Sequence, residues 1–332
     1  MRAIFAIKTV GNNMTKFHSI EKEIVEVIQE WKTLTVTFSG GKDSTALTFA
    51  LLNAVKNCKN KPHKIWILYA NTLVEPSPLL QTAKSSLNIF KDLGKKIGIP
   101  ILPQILIPEL KDRFWVLLIG KGYPPPSIRF RWCSERLKIR PVRNFLKEVK
   151  EKYGEYPLVL TGVRLDEGNN RKKNLLRRLT NDKWMKYEGL KECSVYAPLL
   201  SLTTDEVWEY IKYNEKKWGI NMQYLKKLYS EEFGSMNGFR TGCWVCTLVK
   251  KDQSLEKLAE SKSELFPLIE FRKFLLEIRD NKKLRNKVRK NGKSYLGPLN
   301  KKTRRKILKK LEGIYKLPSE EKKLIYEMWR KS

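Results

Sequence analysis

What the sequence lacks narrows its function first. Among 332 residues only His18 and His63 are histidines, both in polar surroundings, and neither reads as a metal ligand. No apolar run reaches the roughly 18–20 residues that span a bilayer, which excludes a membrane-spanning helix. The apolar start Met1-Arg2-Ala3-Ile4-Phe5-Ala6-Ile7 is cut short by Lys8 and no small-residue cleavage site follows. No secretion signal is read, so the cytoplasm is the expected location. The cysteines number five, an odd count without an export signal. That argues against a disulfide framework and for metal or sulfur chemistry. The phosphate-binding pattern G-x-x-x-x-G-K-[ST] is absent, and no internal repeat is evident. Negative charge is in the shortest supply. Asp and Glu total 35 against 67 Lys and Arg, a net charge of +32. Such an excess destabilises a compact chain by self-repulsion unless an anion uses it, which points to nucleic acid as partner. A membrane surface fits less well, since no amphipathic anchor or lipidation signal accompanies the charge.

What is present centres on Ser39-Gly40-Gly41-Lys42-Asp43-Ser44-Thr45. An apolar stretch, 34–38, reads as a buried strand before it, and 46–52 reads as a buried helix after it. Strand, glycine turn and helix form a phosphate-binding layout, because curled backbone N–H groups and the positive helix end share one concavity. Ser39, Ser44 and Thr45 offer hydroxyls, and Lys42 offers a charge.

Along the chain, helical spacing of Ile20, Ile24, Val25 and Ile28 predicts a helix leading into the first strand. Further strands are predicted at 64–70, 101–106 and 157–161, and helices at 77–97 and 137–152. Asn71-Thr72-Leu73-Val74-Glu75 follows the second strand, at the strand end where open α/β sheets hold ligands. The alternation predicts an α/β fold with a doubly wound, mostly parallel, Rossmann-like sheet. Residues 162–193, dense in Arg, Lys and Asn, read as a mobile basic segment. Thr203 to Trp208 reads as a cap and helix start. The expected division is an N-terminal segment and helix over 1–31, the α/β domain over 32–215, and a mainly helical basic region over 216–332.

The densest basic run lies over 272–310, with Leu284, Val288, Ile307 and Leu308 interleaved. It predicts amphipathic helix able to meet backbone phosphates. A second patch mixes Trp115, Tyr123, Phe130 and Trp132 with Arg129 and Arg131, which suits either base stacking or a packed loop. Cys243 and Cys246 form a C-x-x-C pair, and Cys133 lies far upstream. Thiolates so grouped suit zinc or an iron–sulfur cluster. Cys193 precedes an apolar run and reads as core. Cys58, in a lysine-rich turn, reads as exposed.

The loop Ser39 to Thr45 carries the SGGKDS signature of the PP-loop ATP pyrophosphatases. With it stand Asn71-Thr72-Leu73-Val74-Glu75, the run from Trp115 through Tyr123-Pro124-Pro125-Pro126 to Trp132-Cys133, Thr161-Gly162-Val163-Arg164 and Gly242-Cys243-Trp244-Val245-Cys246. Together they resemble the phosphoadenosine-phosphosulfate reductase family, nearest to its DNA-phosphorothioation branch typified by DndC. The resemblance implies the adenine nucleotide alpha-hydrolase type of fold, ATP with Mg²⁺, and cleavage between the α- and β-phosphates. It makes Lys42, Asp43 and Arg164 the catalytic candidates, and Arg131, Arg136 and Lys138 contacts for the substrate anion. Lys42 would neutralise the departing pyrophosphate, and Asp43 would hold magnesium or orient the loop. It implies a 4Fe-4S cluster, with zinc still open, on Cys133, Cys243 and Cys246, with Cys193 as the candidate fourth ligand. Implied partners are DNA, with RNA still open, a sulfur donor such as a cysteine desulfurase, and other DNA-modification proteins. The branch usually carries Asp where Asn71 stands and a further cysteine where Met236 stands. Reduction of a sulfated nucleotide is an alternative, disfavoured because no cysteine follows Cys246. Thiolation of a transfer RNA base is another.

Overall fold

A computed structural model describes residues 2–229, 242–287 and 296–330, and side chains from residue 14 onward except those of Asn170 and Ser261. Met236, and Val288, Arg289 and Lys290 of the basic run, lie outside the described residues. The chain divides into two compact units woven from discontinuous stretches. One comprises Met1–Ala70, Leu80–Leu106 and Val142–Lys226, the other Asn71–Leu79, Ile107–Pro141 and Lys227–Ser332. The stretches that leave the sheet after its second and third strands thus group with the C-terminal region.

The first unit is built on one sheet. Its strands are β1 (Thr33–Phe38), β2 (Lys64–Ala70), β3 (Ile101–Leu106), β4 (Leu158–Thr161), β5 (Leu179–Asn181), β6 (Trp184–Tyr187) and β7 (Leu190–Tyr196). Their order is β3-β2-β1-β4-β7-β6-β5. The ladders joining β3, β2, β1, β4 and β7 are parallel, and those joining β7, β6 and β5 are antiparallel. β1 is buried at nearly every position because helices cover both faces of a parallel sheet. Its helices include α1 (Arg2–Ile28), α2 (Lys42–Asn57), α3 (Ser77–Lys96) and, after a short helical turn α4 (Trp132–Ser134), α5 (Arg140–Tyr153).

Residues 162–193 differ from the expectation of a mobile basic segment. They form the short helix α6 (Asn169–Leu176) and the three antiparallel strands β5 to β7. Met185, Leu190, Cys193 and Val195 face a core that also holds Trp66, Leu146 and Val159. The intervening Lys191 and Glu192 stay exposed and the inward positions of β7 are unevenly spaced, so these short strands carry no clean alternation in the sequence. The helix α7 (Thr204–Trp218) starts as predicted. Thr203 accepts from Glu206 N, and the Glu206 carboxylate accepts from Thr203 N.

The second unit is mainly helical. It holds α9 (Gln253–Ser261), α10 (Phe266–Asp280), α11 (Lys301–Glu312) and α12 (Ser319–Arg330), while α8 (Gln223–Tyr229) straddles the boundary. The motif residues Val116–Gly120 form a fully buried π-helical turn. Trp329 Nε1 donates to Ile119 O at 2.9 Å, and Arg304 donates to Gly120 O at 2.7 Å. Gly122 has φ +76°, and a Cβ there would meet Leu299 O at 3.0 Å, so the 297–299 turn seats on a glycine. Trp115 and Trp132 are buried, packed on Phe114, and Trp115 also meets Trp244. These rings are core, so of the aromatic patch only Phe130 remains exposed to meet a base. Among the described residues no helix is long and apolar enough to cross a membrane.

Candidate functional site

The strand order locates the first site. β2 and β3 lie on one side of β1 and β4 on the other, so the order reverses between β1 and β4. Open parallel sheets bind ligands outside the carboxyl ends of the strands at such a reversal. The loop 39–45 leaves β1 there, and Thr161-Gly162-Val163-Arg164 leaves β4 there.

Local geometry explains why these residues form this loop. Gly40 has φ +77°, a conformation that suits glycine, and a Cβ would also meet Ala83 Cβ at 3.1 Å. Ser44 Oγ donates to Gly41 O at 2.9 Å, and Ser39 N donates to Ser44 Oγ at 3.2 Å. Ser44 therefore ties the loop shut rather than offering its hydroxyl outward. Thr45 is fully buried at the start of α2. Ser39 is exposed, and the helix N-terminus stands behind it.

Asp43 is braced by two cations. Lys42 Nζ approaches its carboxylate at 3.0 Å, and Arg164 Nε donates to it at 2.6 Å. Arg164 is 2% exposed. It also donates to Leu202 O at 2.7 Å and to Thr204 Oγ1 at 3.1 Å, and pairs with Asp166 at 3.5 Å. The catalytic candidate Arg164 is thus enclosed, with its donors engaged within the fold, and it positions the loop. Asp43, held by both cations, braces the loop. Glu167 nearby is raised above the ordinary glutamate range by burial and by the Asp43 charge. Gly162 is a contact residue that residue type alone does not reveal. A Cβ there would lie 2.8 Å from Asp43 O and 3.2 Å from Ser44 N. Only a residue without a side chain lets β4 end this close to the loop.

The second site lies in the helical unit. It gathers Cys133, Cys243 and Cys246, all half-buried, with Thr72, Glu75 and Lys138. The 71–75 loop is an Asx turn: Leu73 N donates to Asn71 Oδ1 at 2.9 Å, which supports Leu73 at φ +64°. Aspartate accepts the same bond, so Asn71 serves the turn equally well. Thr72 Oγ1 lies 3.3 Å from Cys243 Sγ, Thr72 N donates to Glu75, and Trp244 N donates to Val74 O at 3.0 Å. Arg272, 3% exposed, donates to the carbonyls of Cys246, Val249 and Lys250 and so fixes the 243–250 loop. Its place in the basic run gave no sign of this.

Burial pushes the Cys243 thiol up to about 11, opposed by Lys138, and raises Cys133, whose neighbour Cys246 adds to the rise. Desolvation raises Glu75 as well, with Lys138 again opposing. Lys138 thus faces this site, and Arg131, two residues before Cys133, is exposed. Arg136 does not join them. It and Arg140 hold the buried Asp112 at 3.0 and 2.7 Å, which satisfies the guanidinium within the fold.

Cys193 belongs to the first unit, whereas the other three belong to the second. It is fully buried on β7 in the apolar core of the first unit, its thiol pushed up to about 12 by burial. It cannot serve as the fourth ligand without unpacking that core. Cys58 is also buried, not exposed, its thiol donating to Asn60 O at 3.1 Å. Among the described residues no three His, Cys, Asp or Glu side chains are gathered to hold a single metal ion. A lone zinc ion needs its ligands around one centre, whereas a cluster places each thiolate on a different iron. Three soft thiol donors drawn from two segments are of the type that an iron–sulfur cluster takes.

Replacing Cys193 by Ala should leave iron content unchanged after anaerobic purification, whereas Cys246→Ala should lower it. Equal loss in both would restore Cys193 as a ligand.

Residues 33–249 match the phosphoadenosine phosphosulfate reductase domain. The chain belongs to this family. The matched span contains the 39–45 loop, Arg164 and the three gathered cysteines. Among curated relatives of this reductase-domain chain, the uncharacterized protein MJ0973 of Methanocaldococcus jannaschii is 23% identical over 76% of the chain. MJ0066 of the same organism is 26% identical over 65% of it. The chain spans only 53% and 36% of those two proteins. Of solved structures, the U34-tRNA thiolase NcsA from Methanococcus maripaludis with its [4Fe-4S] cluster is 14% identical, with 80% of each chain covered and a TM-score of 0.41. NAD+ synthetase from Burkholderia pseudomallei is 12% identical, with 64% of this chain and 82% of that chain covered and a TM-score of 0.39.

Proposed function

We propose that the chain is an ATP-dependent sulfurtransferase of the DNA-phosphorothioation type. The supporting observation is the closed SGGKDS loop at the sheet's reversal point, braced by Arg164 and Asp43. ATP phosphates lie on the 39–45 loop. Backbone N–H groups and the α2 N-terminus hold them, and Lys42 balances charge that builds on the departing pyrophosphate. A non-bridging oxygen of a DNA phosphate attacks the α-phosphorus. The bond to the β-phosphate oxygen breaks, and pyrophosphate leaves. Hydrosulfide then attacks the adenylated DNA phosphorus, AMP departs with its oxygen, and a phosphorothioate remains.

Cys133, Cys243 and Cys246 are the residues that would hold a 4Fe-4S cluster, which when bound would supply an iron able to take sulfide. Thr72 and Trp244 anchor the loop that carries Cys243, and Arg272 anchors the carbonyls after it. A cysteine desulfurase is the class of enzyme that would supply the sulfur as a persulfide, and a thiol reductant would release it as hydrosulfide.

The test is pyrophosphate release from ATP with duplex DNA, transfer RNA or adenylyl sulfate added in turn. DNA should stimulate release most strongly, and with sulfide present should acquire nuclease-resistant phosphorothioate linkages. Stimulation by transfer RNA alone, or by the sulfated nucleotide alone, would overturn the DNA reading.

A further inference from the structure

The basic run of the helical unit sorts into two kinds of cation. Arg272, Arg285 and Arg304 donate to backbone carbonyls of irregular segments and hold the fold. Arg304 is 8% exposed, and its guanidinium also lies over the Trp329 ring. These cations are not available to a partner.

The cations of α11 are arranged differently. Thr303, Arg304, Ile307, Leu308 and Leu311 are buried, whereas Lys301, Lys302, Arg305, Lys306, Lys309 and Lys310 are exposed. Every exposed position from Lys301 to Lys310 is therefore cationic. They fall as adjacent pairs repeating every four residues, about 6 Å apart along the axis at 1.5 Å per residue. Lys301 donates to Trp329 O, and Lys306 and Lys310 lie over the Phe274 ring at 5.5 and 4.5 Å. Glu270, already paired with Lys273, is the carboxylate that feels Lys310. Among the described residues none of Lys302, Arg305 and Lys309 forms an ion pair with a carboxylate.

We propose that the outer face of α11 is a docking ridge for the phosphate backbone of duplex DNA. Six cations in three adjacent pairs along one rigid helix offer positive charge at regular intervals to an anion of regular spacing, and the geometry carries the choice of a duplex. Sites for single strands pair a basic groove with aromatic rings that stack bases, and the exposed face of α11 has no ring. A membrane-surface helix needs an apolar face to insert, and that face of α11 is buried in the protein. The choice of DNA over RNA rests on the function proposed above.

The experiment uses the full chain and a DNA duplex of about 20 base pairs, with Kd measured across a salt series. Each phosphate contact contributes about 0.9 to the slope of log K against log salt. The triple variant Lys302→Ala, Arg305→Ala and Lys309→Ala should lower the slope by about 2–3. Alanine is the best helix former, so α11 should persist, checked by circular dichroism. The charge-keeping variant Lys302→Arg, Arg305→Lys and Lys309→Arg should retain the parental slope. ATP binding should be unchanged in both variants.

An unchanged slope in the triple alanine variant would overturn the ridge, as would tighter binding of an RNA duplex of the same sequence. The two readings fail separately. Loss of slope in a protein that releases no pyrophosphate sinks the adenylation reading and keeps the ridge. An unchanged slope with DNA-stimulated release does the reverse.

Discussion

Lys42→Ala should lower DNA-stimulated pyrophosphate release by about 10²–10³-fold, the usual cost of removing one preorganised charge from a developing anion. Lys42 is 9% exposed at the first position of α2, so its ammonium acts with little water around it. The fold should survive the change. Asp43 keeps its 2.6 Å pair with Arg164, and Ser44 still closes the loop on Gly41. Melting temperature should therefore move by only a few degrees while activity collapses, a contrast read by pairing a thermal melt with a coupled pyrophosphate assay. Lys42→Arg should restore part of the rate. A loss below about fivefold would remove Lys42 from the reaction and leave the adenylation proposal without its electrostatic component.

The second large effect is expected from Gly162→Ala, a change of one methyl group. The added Cβ would stand 2.8 Å from Asp43 O and 3.0 Å from its carbonyl carbon. Both are backbone atoms at the start of α2, so no side chain can swing aside. Either β4 or the phosphate loop has to move. A displacement near 1 Å at a reacting centre costs on the order of 10²-fold in rate. Overpacking at such a contact should cost about 1–3 kcal/mol of stability. The Lys42→Ala/Gly162→Ala double variant should lose less than the product of the two single losses, because both act on one loop. Full activity in Gly162→Ala would show that the approach of β4 to the loop does not set the loop's position.

Much of the fold was legible because its signals are local. β2 and β4 are near-continuous apolar runs, as a sheet buried on both faces reads, and β1 and β3 are shorter apolar stretches, with helical spacing between the strands. β5 to β7 were not legible. They are short, and exposed Lys and Glu interrupt the inward set of Met185, Leu190, Cys193 and Val195. Only pairing alongside β4 turns that segment into strands. The cysteines divide the same way. Spacing joined Cys243 to Cys246, but Cys193 became core through the face of β7 that it occupies.

The sequence by itself determined the phosphate loop, the parallel sheet around it, the three soft sulfur donors and the strongly basic balance. These depend on residue type and on neighbours within a few positions. Tertiary structure alone decided which cations are free and which are fastened. Arg164, Arg136, Arg272 and Arg304 look like surface charges in one dimension, yet each is bound by carboxylates or by main-chain carbonyls. The physical reason is that an arginine's role follows from the acceptors around it. Those acceptors come from distant segments, as Leu202 and Thr204 reach Arg164 and Gly120 reaches Arg304.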